Sequence, residues 1–507
     1  MKPSFKFAVE HRAAALVVMN ILLFVWLAGS VVANPRSYDF GHPYARHVWQ
    51  IGIAVSNYYQ RCCGHYVGSQ AVLSSFVDLT AANPERVRFQ ASNHEQFNQI
   101  LAEAKSKIAD PKGLRFVNFM GDLGYTDYFM LAFLLFGPSV QAFVYLFVAL
   151  LAIPLVLLLW QFRRDQVVLR TSLFVLAGIT ARIAWLGADG DTASVYNSRV
   201  LEILGVLPAL HLTASVWRGD RSWPALVTNA VQALILVLVI YARGSAAVLM
   251  LLPMGAALLR LGLWIRHDVR GHAGRIGVRG MALQLRHLSA VWWLVIFVSF
   301  KSIYPSLVLD PYTLGHSGHH VWHEIYKGFL WGDPAWSAYG VLDNDGGAKQ
   351  AADAWLKTNL NVSVKDVQES PKGMALYEDA LRHVVIQLAV NHPGLTLSTF
   401  LISKPTKYVK ETFSFSRGIW QAFLLSPALL LALIAAFLAP FRSVPGSAAF
   451  LFGFILAGFA CGLSLIVLVY YTAHSAGLAV AFECALLYAL IAWLAERFVF
   501  HRAKSPP

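Results

Sequence analysis

A chain of 507 residues that is 57% hydrophobic and only 14% charged, with a mean hydropathy of +0.53, carries more apolar surface than a soluble core can bury, because soluble domains run nearer a quarter charged. Its net charge of +13 belongs to no basic soluble domain, which excludes a nucleic-acid binder and leaves basic membrane-flanking loops as the source. Four cysteines are too few for a disulfide framework.

A spanning helix needs about 20 apolar residues. The first run, Ala13 to Ala33, follows Lys2, Lys6 and Arg12 and is long for a cleaved signal, so it predicts an uncleaved anchor helix. The loop 34–127 reads as helical near 43–60 and 94–108, with helices lying along the membrane surface. The run 128–161 is long for one span, and Gly137-Pro138 predicts a break into a short half-helix and a full span. Further runs follow at roughly 171–187, 199–217, 224–242, 245–265 and 287–308. Beyond a loop at 309–417, which has the composition of a small folded unit with an amphipathic helix near 372–391, come 418–440, 447–471 and 475–496. The fold class is therefore an all-α polytopic membrane protein with about ten transmembrane helices and two large extracytoplasmic loops. Its parts are a transmembrane module at 1–308, a loop domain at 309–417, and C-terminal helices with a tail at 418–507.

Flanking charge sets the orientation. With the N-terminus in the cytoplasm, Arg163, Arg164, Arg170, Arg218, Arg221, Arg442 and the tail residues Arg497, Arg502 and Lys504 all fall on that side. The arginines of 260–286 join them, as the positive-inside rule requires. Both termini are then cytoplasmic, and an inner (plasma) membrane of bacterial type is the expected location.

Ionisable residues at membrane depth point to function, and here they gather on the outer side. Asp39 follows the first span, and Asp122 and Asp127 precede the second in GDLGYTDY. Transfer to a hydroxyl or amine needs such a carboxylate as base, although Asp127 equally suits a helix cap and Asp122 a turn beside Gly121 and Gly124. A phosphate leaving group needs fixed positive charge, which Arg182, Arg199, Arg243 and Lys301 supply. The densest motif is GHSGHHVWHEIYKG. Its His316, His319, His320, His323 and Glu324 read first as substrate contacts, next as a divalent-metal site on His319, His323 and Glu324, and last as structure. It is not HExxH, because no histidine follows Glu324 at the required spacing. No cofactor is otherwise indicated.

SYDFGHPYARHVWQIG after the first span, and the returning segment DYFMLAFLLFGPSVQAFVYLFVALLAIPLVLLLWQF at 127–162, resemble the GT-C superfamily of membrane glycosyltransferases over residues 13–162. The resemblance implies a polyprenyl-phosphate-linked sugar donor and inverting transfer on the outer face. It also implies a glycan, lipid or protein acceptor and a loop aspartate as base, for which Asp39 is the positional match. Two competing readings remain. One is a transporter or flippase of a lipid-linked intermediate; the other is a metal-dependent hydrolase or phosphotransferase built on the histidines.

Overall fold

The computed structural model describes residues 3–33, 45–60, 67–76, 94–107, 114–116, 124–189, 198–219, 222–271, 288–308, 321–342, 344–368 and 373–414, with isolated positions between 453 and 463. The expected spans at 418–440 and 475–496, and most of 447–471, lie outside these residues. What is described is helical, apart from one antiparallel ribbon of β1 (Val67–Ser69) and β2 (Leu114–Phe116). The all-helical expectation had no place for that ribbon.

Five helices among the described residues are long and apolar enough to cross a membrane, or six if one sharply bent pair is counted as a span. The first is α1 (Pro3–Ala33), whose buried Asn20 donates to Leu16 O at 2.8 Å and, across the bundle, to Leu169 O at 3.0 Å. In a segment with few hydrophobic gradients between helices, such interhelical bonds fix the pairing. The described residues of 34–127 include the two helices expected there, α2 (Ala45–Gln60) and α4 (His94–Ser106), with the short α3 (Gln70–Phe76) between them. Gly52 lets α2 approach α3, since a Cβ there would stand 2.9 Å from Leu73 Cδ2.

The predicted break is present. Helix α5 (Gly124–Phe136) stops at Gly137, whose φ of 79° favours glycine, and α6 (Val140–Gln161) restarts under a Ser139 cap whose hydroxyl accepts from Ala142 N at 3.2 Å. Helices α5 and α6 pack through Tyr128, Phe129, Phe133 and Phe143, with Tyr128 donating to Phe143 O at 3.3 Å.

Helix α7 (Gln166–Asp189) begins at Asp165, which accepts from Val167 N and Val168 N and is bridged by Arg218 at 2.5 Å. The expected span at 199–217 is not one helix. It divides into α8 (Ser198–Leu201), a 3₁₀ turn at Glu202–Gly205 and α9 (Val206–Arg218). Helix α10 (Trp223–Ala242) follows, then a 3₁₀ segment at Gly244–Met250, α11 (Leu251–Gly271) and α12 (Ser289–Val308).

Inside this bundle runs a neutral polar spine. The Gln232 amide donates to Pro154 O at 2.9 Å and lies 3.1 Å from His211 Nδ1, while Asn229 donates to Ser289 Oγ at 3.1 Å. Thr228 donates to Gln161 Oε1. These contacts tie α6, α9, α10 and α12 where lipid offers no partner for a polar group.

The described residues of 321–414 pack around a core of their own. Helix α13 (Val321–Gly332) leads into a 3₁₀ turn at Pro334–Tyr339, α14 (Asp345–Leu360), α15 (Val364–Gln368) and α16 (Gly373–Asn391). Then come α17 (Pro393–Ser398), a π-turn at Thr399–Ser403, and α18 (Lys404–Ser414). Their shared core contains Tyr326, Phe329, Trp336, Leu356, Tyr377 and Leu381. The helix expected near 372–391 is α16.

Candidate functional site

Three helices of the first module meet along a trench. Helices α5, α10 and α12, with Leu201 and Leu204 from the α8 region, enclose a cavity of about 370 Å³. Most of its wall is apolar, including Leu131, Leu134, Leu234, Leu238 and Phe297. The polar atoms sit at one end, where Asp127 of α5, Tyr241 of α10, and Lys301 and Tyr304 of α12 line it. That end is where α5 begins and α10 and α12 finish, so one carboxylate, one ammonium and the phenols of Tyr241 and Tyr304 share one level of the bundle, with Tyr128 lining the wall beside Asp127. The Tyr241 and Tyr304 rings meet edge to face at 6.1 Å.

Gly124 sets the width of this end. A Cβ there would lie 2.4 Å from the Tyr241 backbone carbonyl, so α5 reaches α10 only because the residue has no side chain. Gly124→Ala is therefore expected to push the two helices apart at about 1–3 kcal/mol of stability. A lowered melting temperature in detergent, together with weaker uptake of a lipid by the trench, checks this.

Beside the trench, Glu202 is buried (side chain 1% exposed) and faces Arg243 Nε at 3.5 Å, with the Ser245 hydroxyl donating to the same carboxylate oxygen. Arg243 ends α10, with extended backbone at φ −149°. It thus holds a buried carboxylate of the 3₁₀ turn at Glu202–Gly205.

Of the expected site residues, Asp127 and Lys301 are brought together on the trench. Asp39, Asp122, His316, His319 and His320 lie outside the described residues, as do the side chains of Arg182 and Arg199. The last two histidine-motif residues belong to the second module. His323 is buried, with Nδ1 2.7 Å from the Tyr377 hydroxyl and Nε2 3.1 Å from Asp345 Oδ1. Because a carboxylate only accepts, Nε2 carries the proton toward Asp345, and in the neutral ring Nδ1 accepts from Tyr377. Both nitrogens are engaged, which favours a structural role for His323 over a metal ligand. Glu324 pairs with Lys327 Nζ at 3.0 Å, and the same ammonium donates to Asp345 at 3.0 Å. Glu378 caps α13, accepting from Trp322 N at 2.7 Å and His323 N at 3.3 Å. The His323 hydrogen bond, followed by the Lys327 charge, holds the Asp345 carboxyl well below the usual range, while burial and neighbouring carboxylates push the Tyr377 hydroxyl up.

No family model, curated protein or solved structure matches this chain.

Proposed function

We propose that the chain is a GT-C-type membrane glycosyltransferase, moving a sugar from a polyprenyl-phosphate donor to an acceptor on the extracytoplasmic face. One observation carries the reading: the trench is apolar along its length and charged at one end. An isoprenoid chain needs a lipid-like wall, and its phosphate needs a cation where that wall meets water. Lys301 stands at that level, with Asp127 on the facing helix. One of the two stretches that resemble the superfamily, 127–162, supplies most of α5, a wall of the trench, and α6.

In this reading ten spans place both termini in the cytoplasm and loops 34–127 and 309–417 outside. A carboxylate, Asp39, Asp122 or Asp127, takes the proton from the acceptor hydroxyl. The freed oxygen attacks the anomeric carbon from the face opposite the phosphate, and the bond from that carbon to the phosphate oxygen breaks. The leaving polyprenyl phosphate carries the charge, which Lys301 stabilises together with Arg182 and Arg199. His316, His319 and His320 contact the acceptor or the sugar.

The test is transfer from radiolabelled polyprenyl-phosphate hexoses and pentoses by the purified protein in proteoliposomes. Loss of the base is expected to slow transfer by about 10²–10⁴-fold. Lys301→Ala is expected to raise the KM for the donor. Should Asp39→Ala, Asp122→Ala and Asp127→Ala each leave transfer intact, the mechanism is wrong. The neutral polar spine through His211, Asn229 and Gln232 favours a second reading, a flippase of the same lipid. Lipid movement between leaflets without covalent transfer would establish it.

A further inference from the structure

The second module carries an apolar corner that nothing among the described residues covers. Helices α16 and α17 meet at His392 and Pro393, and the pair Gly373–Asn391 and Pro393–Tyr408 is as apolar as a membrane span yet bent through 104°. A span bent that far cannot run straight through a bilayer. The residues at its outer edge are exposed: Val390 70%, Leu397 59%, Leu401 65% and Ile402 63%. Helix α17 has no buried residue at all. Isolated helices so short are marginal in water and draw their stability from a packed face.

The corner is nevertheless held firmly from behind. Trp336 Nε1 donates to Thr399 Oγ1 at 2.9 Å, and Phe400 packs edge to face on Phe329 at 5.0 Å. Gly332 lies close beneath, where a Cβ would stand 2.6 Å from Thr399 Cγ2. The mounting turns Thr399, Phe400, Lys404 and Tyr408 inward and leaves Leu397, Leu401 and Ile402 facing out. Lys404 bends its amine back over the Phe400 ring at 4.0 Å. Burial holds that amine down at about 7.

We propose that this corner, Val390 to Ile402, is a monotopic membrane anchor whose apolar edge enters the outer leaflet at the boundary of headgroups and acyl chains. Three observations select lipid as the occupant. The module is tethered close to the bilayer, because only residues 309–320 separate α12, a membrane-crossing helix, from α13, a reach of about 40 Å at most. The flanks have the chemistry of an interface: the Tyr339 ring lies tilted against His392 at 3.9 Å, and Lys407 lies over Trp331 at 4.4 Å, with the exposed Lys410 one turn on toward anionic headgroups. Finally, the exposed edge continues the hydropathy of a true span, which a water-facing or protein-facing patch does not require. This inference does not depend on glycosyl transfer.

The test uses the full chain with its four native cysteines replaced, carrying Leu401→Cys or Leu397→Cys with a nitroxide label. The proteoliposomes contain phosphatidylethanolamine and phosphatidylglycerol. The label at either site is expected to collide several-fold more with oxygen than with a water-soluble nickel complex, at a depth of about 5–10 Å. Lys357→Cys, at an exposed position of α14, is expected to show the reverse. Three results overturn the proposal: water-like collisions at both corner sites, shielding from both reagents as a protein partner produces, or a depth at the bilayer centre. The second corner site keeps the test alive if labelling at the first disrupts the fold.

Discussion

Arg243→Ala is expected to destabilise the protein by about 3–5 kcal/mol, because it strands a carboxylate that the fold has buried. Glu202 is 1% exposed at its side chain and Arg243 17% exposed, so water cannot replace the lost guanidinium. The Ser245 hydroxyl donates to the same carboxylate, but a neutral donor does not offset a buried charge. The pair also joins the 3₁₀ turn at Glu202–Gly205 to the 3₁₀ segment at Gly244–Met250, so its loss loosens the wall behind Leu201 and Leu204. The double variant Glu202→Gln with Arg243→Met removes both charges and is expected to recover most of the loss. Thermal melts followed by size-exclusion chromatography check the pattern. A phosphate-binding role for Arg243 predicts something else: an unchanged melting temperature for Arg243→Ala with a raised donor KM. The two outcomes separate a residue that builds the trench from one that touches the ligand.

That contrast shows what the sequence can carry. Runs of apolar residues and one Gly-Pro pair placed α1, α5, α6, α10, α11 and α12, because span length and helix breaking are local properties. The run at 199–217 predicts one span because averaging hydropathy hides a single Glu202. Its place in a 3₁₀ turn depends on Arg243, 41 residues away. The three-residue strands β1 and β2 are too short for an alternating pattern to register. Asp127 and Lys301 were legible as charges at the ends of apolar helices. Tyr241 and Tyr304 were missed, although aromatic residues near span ends are the usual mark of an interface. The histidine motif predicts substrate or metal contacts for His323, yet its described partners are Asp345 and Tyr377, 22 and 54 residues on. Local periodicity cannot find such partners.

Those partners set the last expected result. Lys327→Met is expected to unfold the second module more readily, by about 3 kcal/mol or more, since it leaves Glu324 and Asp345 facing each other without their shared cation. The Lys327 side chain is 6% exposed and sits 3.0 Å from each carboxylate. Asp345→Asn is expected to cost less, because the Asp345 side chain is 42% exposed and solvent screens its charge. Its effect depends on pH with a definite sign. The folded carboxyl titrates below its unfolded value, so its contribution is complete above about pH 4 and is lost as the pH falls through the folded value. The stability gap between the natural chain and Asp345→Asn is therefore expected to be full at pH 7 and smaller at pH 3. Melts of both proteins at the two pH values measure it. A gap that stays constant, or grows on acidification, means that the His323 and Lys327 contacts do not hold Asp345 ionised. The hydrogen-bonded line from Tyr377 through His323 to Asp345 would then be packing without electrostatic consequence.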